Sequence, residues 1–369
     1  MPKNFFYGRQ SVDEVDIQAV CEVLRSNYLT CGPAVVAFEK AICDYTGAQF
    51  CVAVSSGTAA LHLAMLALEI MPGDEVITSP ITFLASANCI LYAGGTVRFA
   101  DIESDTANID VNEIKRQITP RTKAIIPVHF AGQSCDMEII HAIAKERGLA
   151  VVEDAAHAIG SNYQGTKVGC CRYSDMTVFS FHPVKTITTG EGGAITTNSE
   201  EIYQKLQALR SHGMYKDGKM SQNWKYEMRE LGYNYRMTDI QAALGVAQLK
   251  KLDQFKSRRS EIVDYYNANL GLPHLTERKF SDACFHLYPI LTPDRDEFYE
   301  RAKQVGLHLQ VHYIPVHTQP YYQRLGFKQG DYPKAEKYYS QTISLPLYPA
   351  LTNDDLAEIV SRIKSILCR

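Results

Sequence analysis

Lys185 stands alone among apolar and hydroxyl side chains in residues 178–194, VFSFHPVKTITTGEGGA. An apolar run over 176–181 leads into it, the knot Gly190-Glu191-Gly192-Gly193 follows, and a second apolar run over 194–197 leaves. A lysine held between apolar segments is partly desolvated. Desolvation lowers its pKa and frees the lone pair that a Schiff-base lysine needs. The plainer reading is a surface lysine in a Gly-rich hairpin. A second group is Ser55-Ser56-Gly57-Thr58, between a strand-like run over 50–54 and a helix over 59–69. Free N–H groups and roughly half a positive charge at such a helix start suit an anion, although an ordinary N-cap looks the same. The third is Asp154, which closes LAVVED before Ala155-Ala156-His157. A carboxylate ending a buried strand is costly unless a cation meets it, unless it merely caps a helix. Its neighbour Glu153 is the other candidate, but strand alternation turns the two to opposite faces.

These groups need elements to hold them. Strand-like runs over 50–54, 76–78, 96–101, 124–130, 149–153, 176–181 and 194–197 alternate with helical patterns over 59–69, 83–92, 111–118 and 137–147. Such alternation predicts an α/β fold with a mostly parallel sheet covered on both faces. Ligands of these sheets sit beyond the carboxyl ends of the strands, where Ser55 to Thr58, Phe83, His129 and Asp154 fall. Upstream, Ser11-Val12-Asp13-Glu14 reads as a capping box. It opens a helix with Val15, Ile17, Val20, Val23 and Leu24 on one face; residues 28–33 break it, and 34–45 restart a helix. Downstream come a helix over 200–211, a polar stretch over 212–229 with the only tryptophan, Trp224, and a long helix from a Thr238 cap to 270. That polar stretch is long enough to cover a site. The domain boundary falls within the long helix, giving a large domain over 1–250 and a small α+β domain over 251–369. The small domain has strands over 286–291 and 307–313 and helices over 296–305 and 353–366.

The bulk properties exclude several classes. At 369 residues and 46% hydrophobic, the chain is long enough for a sizeable core. A net charge of −3 without a Lys/Arg tract argues against nucleic acid. No apolar run reaches membrane length, and MPKNFFYGRQ is not a signal peptide. Ten cysteines without a CxxC pair fit free thiols in a reducing cytoplasm and lack metal-ligand spacing.

The order of these groups resembles that of fold-type I pyridoxal-phosphate enzymes. More narrowly, the chain resembles the sugar-nucleotide aminotransferases of the DegT/StrS type, from about residue 7 to about 367. The motifs carrying the resemblance are LTCGPAVVAFE, VAVSSGTAALHLA, ITFLASAN, PVHFAGQ, VVEDAAHAIG, VFSFHPVKTITTGEGGA, GYNYRMTDIQAALG and VHYIPVHTQ. The opening of the chain and FADIESDTANID look most like family members of the pseudaminic acid pathway.

The resemblance implies pyridoxal 5′-phosphate as cofactor. It makes Lys185 the lysine that holds the cofactor and moves the proton, and Asp154 the partner of the pyridinium nitrogen with His157 close to the ring. Phe83 stacks on that ring, and Gly57, Thr58 and Ser180 bind the phosphate. Asn234 reaches the phosphate of a neighbouring subunit, so the resemblance implies a homodimer with shared active sites. Tyr7, Thr30, His182, His212, Arg236, Tyr313 and His317 fall where family members approach the sugar nucleotide, and Gln133 supports the site. Dehydratases of this fold carry histidine where Lys185 stands, and the neighbouring His182 is not that replacement. The implied reaction is transamination of a UDP-linked 4-keto-6-deoxy-N-acetyl sugar by L-glutamate. A bacillosamine- or perosamine-type 4-aminotransferase and a non-catalytic relative are the alternatives.

Overall fold

The computed structural model describes residues 3–215 and 224–367. A two-residue strand, β1 (Phe5–Phe6), precedes helices α1 (Glu14–Leu24) and α2 (Pro33–Thr46). The alternating half follows: β2 (Phe50–Val54), α3 (Gly57–Ala67), β3 (Glu75–Thr78), α4 (Ala85–Tyr92), β4 (Thr96–Phe99), α5 (Val111–Gln117), β5 (Thr122–Ile126), α6 (Met137–Arg147) and β6 (Ala150–Asp154). Two short strands, β7 (Asn162–Tyr163) and β8 (Thr166–Lys167), separate it from β9 (Met176–Ser180) and β10 (Gly193–Thr197).

Seven of these strands form one sheet in the order β2-β10-β9-β6-β5-β3-β4. Its strands are almost entirely buried, as a sheet covered on both faces requires. Six of the seven strands run in the same direction, and β10 alone is reversed, antiparallel to both β2 and β9. Asp154 lies opposite Val178 in the β6–β9 register, and Gly193 lies opposite Ser180 and Val54. The ends of β2, β6 and β9 and the start of β10 therefore meet at one edge.

Beyond α7 (Glu200–Arg210) and α8 (Asp239–Leu249), a second core gathers around α9 (Leu252–Leu270), with Ile262, Tyr266, Ile343, Ile359 and Ile363 buried beside Phe5 from the chain start. Phe5 and Phe6 pair in parallel with Leu307 and His308, and the Tyr7 N–H donates to the His308 carbonyl. This fastens the start of the chain to the later half and delivers Tyr7 toward the sheet edge.

Several expectations shift. The N-cap of α1 is Asp13, not Ser11: the Asp13 carboxylate accepts from the Val15 and Asp16 N–H groups, and Asp16 accepts from the Asp13 N–H. The intended apolar face of α1 stays largely open, with Val15, Ile17 and Leu24 exposed and Asp16 buried. The long helix over 238–270 is two helices, α8 (Asp239–Leu249) and α9, broken at Lys250-Lys251. At the break, Lys251 Nζ meets the buried Asp16 carboxylate at 2.5 Å, and Gln248 donates to it at 2.8 Å. The strand over 124–130 stops at Ile126, because Pro127 has no N–H to donate; pairing with β6 resumes only as a bridge between Val128 and Asp154, and a 3-10 turn follows. The strand over 307–313 is reduced to Leu307–His308. In the polar stretch over 212–229, Met214–Tyr215 pairs with Glu227–Met228 and Trp224 is exposed. The expectation that this stretch covers a site rests partly on residues 216–223, which lie outside the described residues. All nine cysteines among the described residues are free, and no described helix is long and apolar enough to cross a membrane.

Helix α2 has no side-chain cap of its own; Asp239, at the first turn of α8 and 1% exposed, accepts from the N–H groups of Gly32 and Ala34 at 2.8 and 2.9 Å. Hydrogen bonds to an ionised group contribute about 1.5–3 kcal/mol each. Asp239→Ala should therefore lower unfolding free energy by about 2–4 kcal/mol, read as a shift of the urea midpoint at unchanged slope.

Candidate active site

The loop after β9 carries Lys185. It is tied back to the strand end: the Thr188 hydroxyl and the Thr189 N–H both donate to the Phe181 carbonyl, and the Gly190 N–H donates to Thr188 Oγ1. The Phe181 N–H in turn donates to Gly192. Gly190 sits at φ +80°, a conformation that suits glycine. The loop is thus rigid, and the Lys185 N–H, bonded to the His182 carbonyl, holds the residue's backbone in place.

Lys185 lies on the wall of a cavity of about 760 Å³ at the sheet edge. Burial pulls its amine from the usual lysine range down to about 8, against an opposing pull from the Asp154 charge. The amine is therefore largely free base at pH values where an ordinary lysine is almost wholly protonated.

Asp154 reaches the same cavity from the end of β6. Its Oδ1 accepts from the Ala156 N–H at 3.1 Å, and its Oδ2 accepts from the Ser86 hydroxyl at 2.6 Å. Glu153 points the other way. It accepts from His129 Nε2, Ser174 and Thr177 in a closed buried network that holds its carboxyl below the usual range despite burial. His129 thus belongs to that network, not to the cavity. The Cys135 N–H donates to His129 Nδ1, which leaves Nε2 as the protonated nitrogen facing Glu153.

The third wall is the start of α3. Ser56 caps the helix by accepting from the Ala59 N–H, so the first-turn N–H groups of Gly57 and Thr58 face the cavity without an intrahelical partner. A Cβ on Gly57 would lie 2.8 Å from Ser180 Cβ, and one on Gly193 would lie 2.5 Å from the Ser56 carbonyl oxygen. Glycine at both positions lets the helix end, the end of β9 and the start of β10 close around one small space. Helix N-terminus, Thr58 and Ser180 together form an anion cradle.

His157 is buried and lines the cavity; its Nε2 is 3.0 Å from the Tyr313 hydroxyl, and its Nδ1 has no partner. Burial, reinforced by the positive charges possible at Lys185 and His312, pushes it well below the ordinary histidine range, so it is neutral. His312, also on the wall, is pushed down to about 3 by burial and then by Lys185. Phe83 is 58% exposed at the cavity mouth, with its ring centroid 6.3 Å from that of Tyr313.

The cavity therefore brings together Tyr7, Gly57, Thr58, Phe83, Asp154, His157, Ser180, His182, Lys185 and Tyr313. It does not bring in five others. Thr30 is exposed and bridges to Thr238; Arg236 bridges to Val54. His212 and Asn234 are exposed, the latter bridged to Ser211. His317 is fully buried elsewhere, with Nε2 on Glu336 at 2.9 Å and its ring against Phe99 and Tyr332. That histidine ties two segments of the chain together and is no part of the wall. Gln133 lies off the cavity and binds the backbone of Thr276 and Arg278. Sequence reasoning passed over Thr82, Ser86, His312 and Gln310, all on the wall. Thr82 and Ser86 were legible in ITFLASAN, where hydroxyls flank the aromatic at spacing four.

A deep lysine of lowered pKa, a strand-end carboxylate, an anion cradle and an exposed aromatic ring in one cavity define a pyridoxal-phosphate-dependent aminotransferase of fold type I. The residues fit that cofactor: the cradle lacks the side-chain atoms that would fill it, and a buried imidazole nitrogen is left unpartnered beside the lysine. The chain belongs to the DegT/DnrJ/EryC1/StrS aminotransferase family, which it matches over residues 10–364. It is 43% identical to the spore coat polysaccharide biosynthesis protein SpsC of Bacillus subtilis, over 98% of this chain and 96% of that one. It is 38% identical to the UDP-4-amino-4,6-dideoxy-N-acetyl-beta-L-altrosamine transaminase of Campylobacter jejuni, over 98% and 97%. The solved structure of Helicobacter pylori PseC, an aminotransferase involved in the biosynthesis of pseudaminic acid, superposes with a TM-score of 0.92 at 35% identity over 99% of both chains. The protein is a sugar aminotransferase and uses pyridoxal 5′-phosphate.

Only the neutral amine attacks the cofactor's carbonyl carbon. The capture rate of pyridoxal phosphate by apoenzyme should thus rise with pH and level off above about pH 8, where Lys185 loses its proton. Stopped-flow absorbance across pH 6–11 (roughly the span between the ordinary histidine and lysine ranges) measures it. A rate still climbing at pH 10 would show an unperturbed lysine.

Proposed function

We propose that the enzyme transfers the amino group of L-glutamate to C4 of a UDP-linked 4-keto-6-deoxy-N-acetyl sugar. The product is UDP-4-amino-4,6-dideoxy-N-acetyl-β-L-altrosamine, and the pathway is pseudaminic acid biosynthesis in the cytoplasm. The observation carrying this reading is the near full-length likeness to the transaminase named for that product, joined to the cavity that holds Lys185.

Bound in this cavity, pyridoxal phosphate supplies an electron sink and carries the amino group between the two substrates. Gly57, Thr58 and Ser180 would hold its phosphate, Asp154 its pyridine nitrogen, and Phe83 would stack on its ring with His157 alongside. Lys185 would hold the cofactor, and its amine would move the proton at the sugar carbon that receives nitrogen, C4. A lysine of pKa about 8 both takes and returns that proton near neutrality. Tyr7, His182 and Tyr313, on the same wall, are placed to orient the sugar. Neutral His157 and His312 add no second positive charge beside Lys185. We also divide the chain at the Lys250-Lys251 break, into domains 1–250 and 251–369.

A second reading keeps the chemistry and changes the sugar, as in a bacillosamine- or perosamine-type 4-aminotransferase. The higher identity to a spore coat polysaccharide protein favours keeping it in view. A panel of UDP- and GDP-linked 4-keto sugars, with products read by mass spectrometry, separates the two. The UDP-linked N-acetylated 4-keto substrate should give the highest kcat/KM. A better GDP-linked substrate would sink the first reading and leave the aminotransferase intact.

We further propose a homodimer in which Asn234 completes the phosphate site of the second copy. Its exposure, away from its own cavity, supports this. Lys185→Ala and an inactivating Asn234 substitution should each be nearly inactive alone. Refolded together, they should recover up to about a quarter of normal activity, because about half the dimers are mixed and each has one sound site. If Asn234 serves its own chain, mixing restores nothing.

A further inference from the structure

Asp154 is not held by β6 alone. Ser86, on α4 and fully buried, donates its hydroxyl to Asp154 Oδ2 at 2.6 Å. Its oxygen lies 2.6 Å from the Thr82 hydroxyl, itself 2% exposed. Because the ionised carboxylate only accepts, the Ser86 proton goes to Asp154, and Thr82 must be the donor to Ser86. The result is a directed chain, Thr82 O–H to Ser86 O–H to Asp154. The Ala156 N–H holds the other carboxylate oxygen at 3.1 Å. Each oxygen thus has one protein donor and keeps lone-pair capacity for a further one. Thr82 and Ser86 also bracket Phe83, the aromatic at the cavity mouth, on one short segment.

We propose that Ser86, backed by Thr82, is a positioning residue that aims the Asp154 carboxylate at the heteroaromatic nitrogen of the cofactor. This rests on the reading of Asp154 as the partner of that nitrogen. The geometry assigns two further duties to the pair. Ser86 fixes the rotation of the carboxylate, which a single backbone N–H leaves free. It also couples the segment bearing Phe83 to the strand end bearing Asp154, so the stacking ring and the charged partner move as one unit. A hydrogen bond to a charged, buried acceptor is among the stronger kinds, and low dielectric strengthens a chain of them.

The test compares apoenzyme binding of pyridoxal phosphate with that of 1-deazapyridoxal phosphate, which has carbon in place of the ring nitrogen. Both ligands keep the phosphate and the aldehyde, so general damage to the site weakens both equally. Ser86→Ala should weaken pyridoxal phosphate about ten-fold and change the deaza analogue less than about two-fold, which corresponds to one charged hydrogen bond at 1.4 kcal/mol per decade. Thr82→Val, which keeps the shape and removes the donor, should give a smaller loss of the same selective kind. The double variant should match Ser86→Ala alone, because the chain acts in series. Equal weakening of both ligands by Ser86→Ala, or no weakening of either, overturns the proposal. Additive losses in the double variant overturn the series arrangement. Asp154→Asn separates the two assignments: it should abolish the preference for the nitrogen-containing ring. If it does not, both fall; if it does and Ser86→Ala leaves the preference unchanged, only the role of Ser86 falls.

Discussion

One lysine amine desolvated in the cavity, within the field of one buried carboxylate, is the constraint on which this structure turns. Desolvation favours the neutral form of Lys185 and the Asp154 charge opposes it, and the balance leaves the amine near 8. Without Asp154 the amine would fall further. Without burial it would stay protonated and unreactive. Burial holds His157 and His312 on the wall neutral, and the remaining acid of the strand end, Glu153, is turned away and satisfied separately.

That division of two adjacent carboxylates follows from the pleat of β6. Consecutive residues of a strand face opposite sides. Glu153 goes into a sealed network with His129, Ser174 and Thr177, and Asp154 into the cavity. The network under the strand is fully bonded and therefore stiff, which fixes the strand end on which Asp154 sits. The antiparallel strand β10 completes the geometry. It returns from the Lys185 loop beside the first strand, so the α3 cradle and the lysine loop share a wall. Gly57 and Gly193 make that contact possible, since a Cβ at either would overlap the opposite segment.

The second core acts on the site from the far end of the chain. Segment 310–314 arrives at the cavity with Gln310, Val311, His312 and Tyr313, and Tyr7 arrives from the N-terminal segment paired beside it. The His312 Nδ1 is 2.9 Å from the Ser344 hydroxyl, and the Gln310 carbonyl accepts from the Ser344 N–H, so this wall is fastened to the second core.

The sequence by itself determined the alternation of strands and helices, the lysine loop, the strand-end aspartate and the helix-start cradle. Those features are local: strand ends, caps and glycine turns are written in neighbouring residues, and seven strand positions followed from short apolar runs alone. Periodicity alone ran the strand on to residue 130, although Pro127 ends it and Asn108, from a distant segment, takes the Phe130 N–H at the start of the 3-10 turn. It could not show that Lys251 leaves the long helix to meet the buried Asp16. Which histidines reach the cavity was also undecided by sequence. His157 and His312 line it while His317, seven residues from Gln310, is buried against Glu336, because only packing between distant segments chooses the face each ring occupies. The hydroxyl chain Thr82–Ser86–Asp154 spans β6 and α4, 68 residues apart, and no local pattern encodes that meeting. Tertiary structure alone decided it, by laying α4 against the sheet edge where the carboxylate ends.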